Sequence, residues 1–166
     1  MVQSLRAHAR NVSLRTGLVA LALLLLGIAI TLPHGSSSKG PYYADLARTP
    51  GVLNPDVTQT NIATTICVSG WTKTIRPATG YTNELKLRQM RAYGVGGSPT
   101  QYQEDHLISL ELGGHPTDPR NLWPEPYPRA AAVDRIENDL NARVCAGELS
   151  LGSAQVEEAE LKHTQG

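Results

Sequence analysis

Phenylalanine is absent from the 166 residues, and tryptophan, methionine and cysteine each occur only twice. Without phenylalanine the core must rest on Leu, Ile, Val and Ala, helped by Trp71, Trp123 and a few tyrosines, so it is expected to be modest. Cys67 and Cys145 have no CxxC pattern and no Cys/His pairing around them, which excludes a zinc site of the common ligand spacings. No internal repeat is present. An excess of positive charge is also missing. Once Arg6, Arg10 and Arg15 are set aside, twelve Lys and Arg face fifteen Asp and Glu. That balance excludes a protein that coats phosphate backbones with a broad basic surface. The remaining composition is that of a globular chain, and its length suits one domain rather than two.

What is present begins with a targeting segment. Arg6, Arg10 and Arg15 precede an uncharged, largely apolar run from Gly17 to Leu32, closed by Pro33. The run is slightly long for the core of a signal peptide and slightly short for a bilayer-spanning helix of about 20 residues. No Ala-x-Ala cleavage site follows it. Residues 1–33 are therefore read as either a cleaved signal peptide or an uncleaved signal-anchor helix, the latter tethering the protein to the membrane. In both cases the arginines stay on the cytoplasmic side and the rest of the chain becomes extracytoplasmic, secreted or anchored. Residues 34–41, rich in Gly and Ser, form a flexible linker, and 42–166 form the domain. Export makes the isolated pair Cys67 and Cys145 an expected disulfide, worth about 4 kcal/mol in the chain-entropy model.

Along the domain, Asn54-Pro55-Asp56 marks a turn, after which Thr58 or Thr60 caps a short helix through Ile66. Gly70 to Arg76 carry strand-like Trp and Thr residues, stopped by Pro77. Thr82 is placed to cap a polar helix running to about Tyr93, before the break at Gly94, Gly96 and Gly97. From Tyr102 the pattern alternates, with His106, Ile108, Leu110 and Leu112 on one face, and it ends at Gly113-Gly114 as a strand ends in a hairpin. The chain returns through Asp118-Pro119-Arg120 to Asn121-Leu122-Trp123 and leaves the sheet at Pro124, Pro126 and Pro128. A helix from about Arg129 to Cys145 follows. Val133, Ile136, Leu140 and Val144 make its apolar stripe, and Asp134, Glu137, Asn138 and Asn141 a polar flank. A last helix, about Ser153 to Leu161, reads as peripheral. The predicted class is α+β, a strand, hairpin, strand and helix core with flanking helices.

This order gathers chemistry. An Asp105-His106 pair lies on the first strand, Asn121 on the second, and a carboxylate and amide stripe on the following helix. Phosphodiester hydrolysis needs a water deprotonated in line with the leaving oxygen, and a cation for the charge that develops. A neutral imidazole suits the first task, and Asp and Asn oxygens suit Mg²⁺ or Mn²⁺ better than Zn²⁺. Adjacent residues on a regular strand face opposite sides, so Asp105 and His106 share a site only at a strand end, a twist or a bulge. Basic residues cluster upstream at Lys73, Arg76, Lys86, Arg88 and Arg91, and Arg120 and Arg129 flank the site in sequence. A groove for nucleic acid forms if that segment packs beside His106.

The run Glu104-Asp105-His106-Leu107-Ile108-Ser109-Leu110-Glu111-Leu112-Gly113-Gly114, followed by Asp118 and Asn121-Leu122-Trp123-Pro124, resembles the core of HNH (His-Me finger, ββα-metal) endonucleases. Small exported bacterial proteins share its wording. The resemblance implies a metal-dependent nuclease acting on DNA, with RNA as the alternative, and one divalent cation, Mg²⁺ or Mn²⁺ ahead of Zn²⁺. It makes His106 the general base, Asp105 a metal ligand and Asn121 the asparagine that steadies the hairpin loop; the placement of basic residues along the chain makes Lys86, Arg88, Arg91, Arg120 and Arg129 the candidates for binding the substrate. Ser109 stands where the motif has proline, and the helix lacks the third histidine, so Asp134, Glu137 or Asn138 takes that place. A noncatalytic metal- or nucleic-acid-binding module on the same scaffold is the other reading that the missing histidine allows.

Overall fold

The computed structural model describes residues 43–165; the expected signal or anchor segment and the linker lie outside them. Among the described residues no helix is long and apolar enough to cross a membrane. The class is α+β. In chain order the elements are a 3-10 turn Ile62–Thr64, α1 (Trp71–Ile75), α2 (Thr79–Tyr93), β1 (Tyr102–His106), β2 (Leu122–Pro126), α3 (Tyr127–Cys145) and α4 (Leu151–Thr164). β1 and β2 form one antiparallel ribbon, with Tyr102 opposite Pro126, Glu104 opposite Pro124, Asp105 opposite Trp123 and His106 opposite Leu122.

β2 thus continues through two of the prolines expected to end it. Leu107 N–H donates to Asn121 O at 2.8 Å, which sets the phase of the ladder. Pro124 and Pro126 pair with even-numbered residues of β1, at positions whose missing N–H would point away from the partner strand, so no ladder bond is lost. The first strand, in contrast, is shorter than its alternation. It stops at His106 because the Asn121 side chain captures the next free backbone. Asn121 Oδ1 accepts from Ile108 N–H at 3.0 Å and Asn121 Nδ2 donates to Ile108 O at 3.0 Å. The Ile108 to Gly114 segment then curls through a 3-10 turn, Leu110–Leu112. Gly114 lies so close to the Ile108 carbonyl that a Cβ there would overlap it.

The segment Gly70 to Arg76, expected as a strand, is the short helix α1. Gly70, at φ 79°, turns the chain into it, and with no neighbouring strand to pair with, local hydrogen bonding wins over the β preference of Trp and Thr. α2 begins at Thr79, with Ala78 as N-cap, and Thr82 bonds back to Thr79 O inside the helix instead of capping it. Likewise Asn61, not Thr58 or Thr60, precedes the first 3-10 turn.

α3 follows β2 directly, with Pro128 in its first turn, where no amide donor is needed. Its buried residues are Ala130, Val133, Glu137, Leu140 and Val144. Ile136 is partly exposed, so the stripe is rotated by one residue and carries a carboxylate in its middle. α2 packs on both strands from one side, while α3 packs on both strands and on the Leu110–Leu112 turn. The core divides into two small clusters. One holds Ile66, Ile108, Leu112, Leu140, Val144 and Leu151; the other holds Ala44, Leu107 and Trp123, with Tyr93 against it. Each fully buried Leu or Trp contributes roughly 1.5–3 kcal/mol. The disulfide Cys67–Cys145 is present and fastens the turn before α1 to the end of α3, with Cα atoms 5.6 Å apart.

α4 runs from Leu151 to Thr164, longer than expected, and it is not peripheral. Its buried residues are Leu151, Ala154, Glu158 and Lys162, and the last two have no exposed surface at all.

Candidate active site

A cleft of about 340 Å³ opens at the end of β1, where Asp105, His106 and Glu111 meet Asp134, Glu137 and Asn138 of α3, with Arg76 and Thr72 from the α1 region at its edge. Asp105 and His106 therefore share one site. His106 is the last residue of β1, beyond which pleated alternation ceases to apply. All three helix candidates for the missing histidine line the same cleft.

His106 is nearly buried, and its Nε2 lies 3.0 Å from Pro116 O. A carbonyl can only accept, so Nε2 carries the hydrogen and Nδ1 carries the lone pair. No hydrogen bond from a described residue engages Nδ1. Burial depresses the imidazole pKa below its ordinary 6.5, and the positive charges of Lys162 and Arg76 act in the same direction, outweighing Pro116 O and Asp105. The ring is thus neutral near pH 7, fixed in one tautomer, with one nitrogen free to take a proton.

Asn121 does not line the cleft. It is fully buried behind it, where Nδ2 donates to His115 O and Ile108 O, both at 3.0 Å, and Oδ1 accepts from Ile108 N–H at 3.0 Å and Val52 N–H at 3.3 Å. It joins the two ends of the loop that carries Pro116, the acceptor of His106.

The carboxylates are crowded. Asp105 Oδ1 accepts from Gln103 Nε2 and Oδ2 from Lys162 Nζ, both at 3.0 Å. Burial opposes its charge, but Lys162 overcomes that and brings the pKa down to about 2. Its neighbours go the other way. Glu137 is pushed up to about 8, by burial and by the charges of Asp105 and Glu158. Glu111 rises to about 7, by burial and by Glu137 and Asp134. Glu125, fully buried beside Asp105, reaches about 9 for the same two reasons, burial first and Asp105 second. One ammonium shared among so many carboxylates keeps Asp105 ionised, while burial and mutual repulsion push Glu111, Glu125 and Glu137 upward. Burial alone would discharge Lys162, yet Asp105, Glu137, Glu158 and Glu125 hold its pKa well above the ordinary 10.5.

The donor set suits a hard divalent cation. Glu137, pushed up to about 8, is a carboxyl group whose proton such an ion would displace. Among the described residues no three His, Cys, Asp or Glu side chains are gathered as a ready-made cage. A Mg²⁺-type ion requires none, since it is commonly held through one or two carboxylates with water and phosphate in the remaining positions.

The basic residues assigned to the substrate from sequence are not gathered here. Lys86 is buried on α2 and donates to Tyr102 O at 3.0 Å. Arg88 pairs with Glu84 at 2.8 Å along the same helix, and Arg120 forms a two-bond pair with Asp118. Arg91 and Arg129 also lie outside the cleft lining. α2 covers the opposite side of the ribbon, which is why its cations do not reach His106. Arg76 is the member of the basic segment that does. Sequence reasoning assigned no role to three further neighbours. Gln103 was open to discovery, because it lies two residues from Asp105 on the same face of β1. Glu111 lies within the motif itself. Lys162 had no local signal.

Compared with known proteins, the chain matches no family model, no curated protein and no solved structure.

Proposed function

We propose that this protein is an exported, metal-dependent nuclease of HNH type that hydrolyses phosphodiester bonds of DNA or RNA, with His106 as general base. The observation that carries the reading is the state of the His106 ring: neutral, held through Nε2 on a backbone carbonyl, its Nδ1 free, at the edge of an acidic cleft. Such a nitrogen takes a proton from water as the water attacks phosphorus. The Pro116 carbonyl then holds the imidazolium that forms, and the Asp105 charge favours it. Arg76, which lines the same cleft, would attract the phosphate. Asp105, Glu137 and Asp134 are the residues that would hold a divalent cation, with Asn138 beside them. When bound, the cation supplies positive charge for the phosphate oxygens in the transition state. The metal dependence of this reading rests on Asp105, which is ionised, and on Glu137, whose proton a bound cation would displace. The disulfide supports an extracytoplasmic location, since such bonds persist in oxidising compartments.

Incubating the full-length protein with supercoiled plasmid or structured RNA and Mg²⁺, Mn²⁺ or Zn²⁺ tests the reading. Nicking that depends on one of these ions, and stops with a chelator, is the expected result. No cleavage of either nucleic acid with any of the three ions would leave a noncatalytic module on the same hairpin as the better reading.

A further inference from the structure

We infer that Lys162 is a positioning residue of the candidate active site, a built-in counter-cation that holds Asp105 and Glu137 together and sets how tightly the cleft takes a divalent ion. The inference rests on the reading of Asp105 and Glu137 as metal-holding groups.

Lys162 has no exposed surface, so it touches neither solvent nor substrate and acts through its neighbours. Its ammonium has three hydrogens and three close acceptors: Asp105 Oδ2 at 3.0 Å, Glu137 Oε1 at 2.5 Å and His106 O at 2.5 Å. One side chain from α4 therefore ties a carboxylate of β1, a carboxylate of α3 and the backbone of the general base into a single unit. Glu158, one turn earlier on α4, lies 3.3 Å from the same nitrogen. Its oxygens take the Ser109 N–H at 2.9 and 3.0 Å, which fixes the first residue of the Ser109 to Leu112 turn. The pair Glu158 and Lys162 thus braces both walls of the cleft from beneath.

Two consequences follow for a cation. Asp105 Oδ2 and Glu137 Oε1 are already engaged by Lys162, and Asp105 Oδ1 by Gln103 Nε2, so an incoming ion must share Asp105 with these donors and meets Glu137 Oε2 as the oxygen without a hydrogen bond among the described residues. A fixed positive charge between two carboxylates also lowers their attraction for a second cation. An internal lysine in this place makes the site weak and water-rich by construction.

The test is Mn²⁺ titrated alone into the full-length protein and its variants by calorimetry. Lys162→Met by itself leaves Glu158 buried without its counter-charge and can prevent folding. The companion Glu158→Gln/Lys162→Met removes both charges at similar volume, and an intact Cys67–Cys145 bridge with a cooperative melt shows that it is folded. The folded double variant is expected to bind Mn²⁺ tighter than the parent by about tenfold or more, and adding Glu137→Gln should abolish the gain. A residue with a merely structural role would give weaker binding when lost, never tighter. Equal or weaker Mn²⁺ binding by the folded double variant overturns the inference, as does tighter binding that survives Glu137→Gln. The cleavage reading fails separately, on a parent protein that binds Mn²⁺ and cuts no nucleic acid.

Discussion

Asp105 and Glu104 are neighbours on β1, yet the two faces of the ribbon treat them in opposite ways. On the α3 side Asp105 is nearly inaccessible and has Lys162 and Gln103 as partners, and its pKa falls to about 2. On the α2 side both Glu104 oxygens are buried with no hydrogen-bond partner among the described residues. Burial pushes Glu104 up to about 8, and the positive charges of Lys86 and Arg88 do not compensate. Lys86 spends its ammonium on Tyr102 O instead. The difference teaches that burial alone does not decide ionisation here. The Lys162 ammonium bonded to Asp105 outweighs burial there, whereas the Lys86 ammonium, bonded to Tyr102 O, does not outweigh it at Glu104.

The largest effect that would break the comparison is on the Asp105 side. Asp105→Asn leaves Lys162 with one partner fewer in a buried network, and a loss of about 3–5 kcal/mol in urea unfolding is expected at pH 7. The sign with pH follows from the depressed pKa. The Asp105 contribution is present above its ordinary 3.8 and disappears as pH falls toward about 2, so the variant should lose this acid-side dependence. A parent-like stability for Asp105→Asn would mean that Lys162 does not hold the carboxylate.

A smaller effect sharpens the other face. The raised pKa of Glu104 means that its favourable contribution is complete below its ordinary 4.5 and is lost as pH climbs through about 8. Glu104→Gln keeps the shape and removes the titration. Its melting temperature should resemble the parent's near pH 5 and decline less between pH 7 and pH 9. An identical alkaline decline in both proteins would show that Glu104 is not the buried acid responsible.

These two faces were unequally legible in the sequence. Asp105, His106, Asn121 and the Gly113-Gly114 turn lie within one short stretch of chain, and the chemistry they carry is local: a strand end, a side chain that mimics a strand partner, a glycine where a Cβ would not fit. The order of those residues along the chain was legible, and the structure gathers Asp105 and His106 at one cleft. The prolines of β2 misled because a proline ends a strand only where its nitrogen faces a partner, and register is not visible in sequence. Trp71 and the threonines around it misled because β propensity acts only when a strand is there to pair with. The basic residues of α2 were adjacent to the motif in sequence but fell behind the ribbon, a matter of which face a helix covers.

α4 was the least legible element. Its buried stripe is Leu151, Ala154, Glu158 and Lys162, half of it charged, so apolar periodicity cannot reveal the face. A Glu and Lys four residues apart on a helix ordinarily mark a solvated pair. Only the tertiary structure, which brings Asp105 of β1 and Glu137 of α3 to the same nitrogen, turns that pair into part of a buried charge cluster.

The central claim, that the free nitrogen of His106 deprotonates the attacking water, is tested most directly by comparing single-turnover plasmid cleavage by the parent and by His106→Ala at matched metal and salt, with and without added imidazole. General-base catalysis contributes about 10²- to 10⁴-fold, so a loss of that order is expected, with Mn²⁺ affinity retained and partial rescue by imidazole. In the parent the acid limb of the rate should fall below the ordinary histidine value of 6.5, because burial disfavours the protonated ring. Cleavage by His106→Ala at the parent rate would contradict the assignment.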